Sequence, residues 1–237
     1  MDQIRLPGQA ATAEGPNDLT GMFTMHWGFR RDLDRFAAAA AGTPVDDRAA
    51  WRALAGRWAV FERVLHDHHT GEDEGLWPAL AAHVERAGTP AERAVLDAMT
   101  AEHHGIDPAL TAVAEGFARL AAGAGAEERA AVHGHAVAAR DLLARHLAHE
   151  EGEALELVQR YLSHAEWEHI ERVHFRQSKS PRAVIELLAW VLHDLPAHAA
   201  ARLFSGPASG SGPLLLLWRA FLRRPFARRE AAAFRYA

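Results

Sequence analysis

The chain has no cysteine among its 237 residues. Disulfides, zinc fingers, thiolate-bound clusters and a cysteine nucleophile are therefore excluded, and any metal must be held by nitrogen and oxygen. Basic charge is also scarce: acids outnumber Lys and Arg by 31 to 26, and Lys179 is the single lysine. That balance lacks the positive footprint of a nucleic-acid binder, so no nucleic-acid partner is expected. Long apolar runs are missing too. Residues 1–18 hold no stretch of signal-peptide type, and the run 213–218 is too short to cross a bilayer, which makes the cytoplasm the expected location. No alternating pattern of the kind that marks a strand is evident. What the chain has in plenty is histidine, at 16 residues, and a hydrophobic content of 49% that can fill a core.

Helix start and stop signals divide the chain. Thr43-Pro44 with Asp46 and Thr89-Pro90 with Glu92 each read as an N-cap, a first-turn proline and an acid at the third position, and Gly123 with Gly125 marks a further break. Between them lie four Ala- and Leu-rich segments of helical period, roughly 17–41, 46–86, 90–122 and 126–160. Pro78 predicts a kink or an early end in the second. Residues 1–16 read as a flexible tail and 161–237 as a helical extension, with a capping box at Ser163 and Glu166, a helix start at Ser180-Pro181 and a Gly/Ser/Pro linker near 205–213. The expected fold is all-α, an antiparallel up-down four-helix bundle over 17–160 with a C-terminal helical extension.

Each of the four segments has one apolar stripe, and each stripe is broken by a histidine. His26 lies between Met22 and Phe29, His68 between Leu65 and Leu76, His103 between Met99 and Ile106, and His146 follows Leu143. Two stripes add a carboxylate one turn on, Glu72 after His68 and Glu150 after His146. A lone histidine on an apolar face is ordinarily a satisfied core residue, but one in every helix is not expected by chance. In an antiparallel bundle, residues at one height have their sequence midpoint at the connecting turn. The midpoint of His103 and His146 falls within Gly123–Gly125, and that of Glu72 and His103 beside Gly88. That of His26 and His68 falls a few residues past Thr43-Pro44, which asks for a longer connection or a tilted helix. Four imidazoles and two carboxylates at one level exceed the needs of one tetrahedral ion and suit two metals bridged by the glutamates. Iron is the expected metal, with manganese or zinc less favoured.

The motifs HWGFRRDL, HHTGEDEGLWPAL, TAEHHGID and RHLAHEEGE, in that order, resemble the signatures of the hemerythrin-like family of HHE cation-binding domains over roughly residues 17–160. The resemblance implies a non-heme di-iron centre that binds oxygen or related small molecules, with ligands on His26, His68, Glu72, His103, His146 and Glu150. The fuller family pattern has a second histidine one turn before the position of His103. Met99 stands there instead, which implies a coordinatively poorer iron with an open position. His69, Asp73, His104, His149 and Glu151 are expected as neighbours that orient ligands or as solvated faces, and His69 is expected to point outward, by a helical rotation of roughly 100° from His68.

Other signals carry bland readings. Glu166 with His169 and Glu171 with His174 match a metal-binding spacing but overlap on one segment, and read as an exposed amphipathic helix; His133 and His135 read as surface. The Leu-rich block from Leu214 followed by arginines reads as a terminal helix capping the bundle, with membrane contact as the alternative. Three functions stay open: binding or sensing of a diatomic or peroxide ligand, peroxide- or nitric-oxide-consuming catalysis, and a metal that only staples the helices while 161–237 meets a protein partner.

Overall fold

The structure, a computed structural model, describes residues 2–175, 181–204 and 218–237. Among these every regular element is helical. The long helices are α1 (Thr20–Gly42), α2 (Arg48–Gly71), α4 (Pro90–Ala122) and α5 (Ala126–His149). α2 runs through a π-helical turn, Glu72–Leu76, into α3 (Trp77–Ala87), and α5 runs through a second, Glu150–Ala154, into α6 (Leu155–Tyr161). Then follow α7 (His164–Ile170), a third π turn (Glu171–Phe175), α8 (Pro181–Leu192), α9 (Ala197–Leu203), a π turn at Trp218–Leu222, and α10 (Arg223–Ala233). No helix among the described residues is long and apolar enough to cross a membrane.

The caps explain most boundaries. Thr89 and Ser163 each form a reciprocal capping box, with Glu92 and Glu166 respectively. Gly123 ends α4 at φ +110°, a left-handed conformation that a side chain would strain. Thr43 is a correction to the expected N-cap. It is the buried last residue of the α1 turn, its hydroxyl donating to the Ala39 carbonyl, and Asp47 caps α2 instead by accepting from Ala50 N–H. The Pro44 carbonyl is held by Trp51 Nε1–H, which fixes the connection as a turn rather than a helical start. At Pro78 the chain loses the N–H that would bond the Glu74 carbonyl, and the preceding turn widens until Trp77 N–H reaches Glu72.

α1 packs on α5, α5 on α4 and α4 on α2. The core falls into two apolar halves with a polar layer between them. One half holds Phe29, Phe36, Trp58, Phe61 and Phe117; the other holds Leu19, Phe23, Leu76, Leu80, Leu96 and Leu155. The order in which the halves are met reverses from each long helix to the next, and His26, His68, His103 and His146 each sit at the crossing.

The C-terminal residues complete the first half rather than standing apart. Trp190 of α8 is fully buried, its ring 5.2 Å from Phe29 and its Nε1–H donating to Asp32 at 2.6 Å. Phe234 stacks against Phe36 at 5.0 Å, and the buried Glu230 of α10 pairs with Arg57, which also pairs with Asp32. The arginines at 223, 224, 228 and 229 are exposed, as a capping helix with a wet end requires. These ion pairs and rings tie the C-terminal residues to the long helices. Residues 2–16, expected as a flexible tail, have no regular structure but bury Ile4 and Leu6. The expected linker at 205–213, the Leu214–Leu217 run and the Ser180 helix cap lie outside the described residues.

Candidate metal centre

α1 supplies His26, α2 His68 and His69, α4 His103 and α5 His146, while Glu72 and Glu150 are each the first residue of a π turn. π-helical turns often mark functional sites, because the extra residue per turn re-aims side chains that a regular helix would stagger. The seven residues form two groups whose donor atoms lie within 4.8 Å of one another: His69, His103 and His146, and His26, His68, Glu72 and Glu150. All seven are buried. His68 Nε2 is 3.0 Å from Glu72 Oε1, and His26 Nε2 is 3.2 Å from Glu150 Oε2. His103 Nε2 faces His146 Nε2 at 3.2 Å and Glu72 Oε2 at 3.5 Å, so the two groups meet. His69 stacks on His103 with centroids 3.9 Å apart and planes 9° from parallel.

The outward nitrogens of three of these rings are occupied. His26 Nδ1 meets Glu151 at 2.9 Å, His103 Nδ1 meets Asp73 at 3.0 Å and His146 Nδ1 meets Glu102 at 2.9 Å. A carboxylate can only accept, so each Nδ1 carries the proton and each Nε2 can offer its lone pair inward, the arrangement that orients metal-bound imidazoles. The partners are themselves held: Glu151 by both Nη atoms of Arg30 and by Ala10 N–H, Asp73 by the Thr100 hydroxyl, Glu102 by His149.

The inward atoms are the opposite case. Nε2 of His26, His68 and His69 and both carboxylate oxygens of Glu72 and Glu150 are buried without a well-aligned hydrogen bond, although His26 and His68 lie close to Glu150 and Glu72. Left so, each such group costs on the order of 1–3 kcal/mol, more where it is charged. Among the protein groups alone, burial disfavours the His26 imidazolium, but Glu150 and then Glu151 overcome it and raise its pKa to about 9. Burial likewise works against the Glu150 charge, and His26 above all reverses it, to about 2. Glu72 is pushed well above the carboxylate range by burial and by Glu150. His68 and His69 lie well below the usual imidazole value through burial and neighbouring imidazoles. The layer therefore holds one ion pair, His26 with Glu150, beside Glu72, His68 and His69, whose charged forms burial disfavours, a set that cations would satisfy. A cleft of about 410 Å³ lined by Glu62, His66, Asp73, His104 and Asp107 reaches His69 and His103 from outside.

All six residues expected from the sequence come together in this layer. His69 is the correction: it points inward, because α2 is flanked here by α4 on one side and by the Glu171–Phe175 turn on another, and its buried arc is wide enough for two consecutive residues. Of the expected neighbours, Asp73 and Glu151 meet the Nδ1 atoms of His103 and His26, whereas His104 is exposed and His149 binds Glu102. Glu102 escaped notice, although an acid next to His103 in sequence and one turn from Met99 was there to be seen; its partner, His146, lies on another helix. Glu166 and His169 are exposed, with Glu166 engaged in its cap and with His83. His133 is at the surface as well.

No curated protein and no solved structure matches the chain. The sequence signature of the hemerythrin HHE cation binding domain matches residues 17–158, a span that contains all seven buried donors and the three carboxylates behind them. The chain belongs to the hemerythrin HHE cation-binding domain family.

Proposed function

We propose that α1, α2–α3, α4 and α5–α6 form an antiparallel up-and-down four-helix bundle around two iron ions, and that the pair binds or reacts with a small diatomic molecule or peroxide. His69, His103 and His146 hold one ion, His26 and His68 the other, and Glu72 and Glu150 lie between them. The observation that carries the reading is the set of buried Nε2 and carboxylate atoms without a well-aligned hydrogen bond. Five imidazoles and two carboxylates, with no sulfur, suit iron or manganese better than a soft metal.

When bound, such a pair supplies electrons and a Lewis-acidic docking point to the small ligand. The chain's own residues do the rest. Asp73, Glu102 and Glu151 hold three rings in the tautomer that presents Nε2 inward. His26 gives up a proton to admit a cation, and the cation offsets the burial that disfavours the Glu72 charge. The apolar halves above and below keep bulk water from the layer. His69 also changes the expectation drawn from Met99: an imidazole from α2 offers the donor that α4 lacks, so the poorer coordination expected there is not the basis of reactivity. The polar cleft ending at His69 and His103 favours a site that exchanges a polar ligand such as peroxide over a closed structural staple.

Full-length protein reconstituted anaerobically with ferrous iron should retain about two iron ions after desalting. Stopped-flow absorption on mixing with O2, and separately with hydrogen peroxide, then divides the functions. A band that reverses on removing O2 assigns carriage or sensing; consumption of many equivalents of peroxide assigns an enzyme. Full metal retention with no response to O2, peroxide or nitric oxide would leave the staple.

A further inference from the structure

The residues beyond 158, which the family signature does not cover, line one side of a second, partly open cavity. It measures about 280 Å³ and lies between α1 and α8, walled by Met25 on one side and Leu188 and Val191 on the other, with Phe175 and Phe204 at its margins. His68 of α2 is part of its lining. The lining is predominantly carbon, so water inside would find few hydrogen-bond partners. Apolar cavities of about half this volume already stay dry and take up a single aromatic ring.

We propose that this chamber is a binding site for one small, neutral, apolar molecule of roughly ten carbon atoms, scaled from that volume, seated with one end against His68. A protein partner is the weaker occupant. It would need an apolar surface on the order of 1,000 Å², whereas only Val184 and Ile185 stand out on α8 among the described large hydrophobic residues, each little more than a third exposed. An anionic ligand is weaker still, since no arginine or lysine lines the chamber, and a cation would find one acid there, Glu171, in a lining otherwise almost all apolar. The Phe175 ring, 6.0 Å from His68, lies where such a molecule would press on the metal side. Its position beside the metals rests on the reading of His68 given above; its binding does not.

Naphthalene is a fitting probe, with ten carbons and its own fluorescence. Titrated into the full chain, both stripped of metal by chelator and loaded with ferrous iron, it should bind one per chain and saturate. Leu188→Trp, which fills the chamber, should weaken binding at least tenfold, and Met25→Phe, from the opposite wall, severalfold. Val60→Trp, in the separate cavity beside α10, should change it less than twofold. Circular dichroism shows which variants fold; if Leu188→Trp does not, Met25→Phe decides. No saturable binding overturns the proposal. Binding indifferent to both wall substitutions overturns it as well. Binding that persists in a chain unable to hold iron would uphold the chamber while sinking the metal reading.

Discussion

His69 and its neighbour His68 differ by one step along α2, yet both end in the buried layer. Replacing either by Ala should therefore lower bound iron, from about two per chain toward one, read by metal analysis after desalting; an unchanged content in His69→Ala would return that ring to a packing role. Asp73→Asn tests the outer partners. It keeps the size of the side chain but lets the amide donate, which permits the wrong tautomer of His103, and a loss of 10- to 100-fold in affinity is expected in competition with a chelator. Protons report on the same layer. His26, raised to about 9, carries a proton at pH 7. Loading should thus release at least one proton, measured by calorimetry in buffers of different ionisation enthalpy. Affinity should weaken as pH falls from 9, because protons compete for His26 Nε2.

At the scale of elements the two π turns place the carboxylates. Each starts at the glutamate four residues after a histidine, and each is followed by a regular helix that resumes the apolar pattern. The first is packed against the third π turn so closely that a Cβ on Gly75 would stand 2.4 Å from His174 Cγ. Gly75→Ala must push that turn away, along with Phe175 beside His68. A destabilisation of about 1–3 kcal/mol is expected, read from chemical denaturation, together with a changed iron spectrum. A spectrum and stability like those of the wild type would mean that the turn yields freely.

Over the whole molecule, the C-terminal helices hold to the long ones through Asp32. Burial raises its pKa, but Arg31, Arg57 and the Trp190 N–H more than reverse this, leaving it below its ordinary value. A carboxylate depressed in the folded state contributes stability above its unfolded pKa of about 3.9, and loses it as pH falls from there through the folded value. Asp32→Asn should therefore cost about 3 kcal/mol at neutral pH, and the cost should shrink below pH 4. A pH-independent penalty would show that packing, not charge, is what the substitution removes. With Trp190 and Phe234 buried on Phe29 and Phe36, a chain truncated after Tyr161 should expose the aromatic half of the core and melt well below the full chain.

The sequence by itself determined where the long helices run and which six residues share a level. Both signals are local: an apolar stripe broken once by a histidine marks a buried polar group, and a sequence midpoint that falls on a connection points to two residues at one height. Tertiary structure decided the rest. Projection onto a helix assumes one buried face, and at α2 that assumption failed, because helices on two sides bury a wider arc and take in His69. The pairing of Glu102 with His146, and of Trp190 and Glu230 with Asp32 and Arg57, joins residues far apart in the chain with no common period to announce them. A polar partner supplied by another element leaves no trace in the spacing of its own, since only the packed helices bring donor and acceptor within about 3 Å.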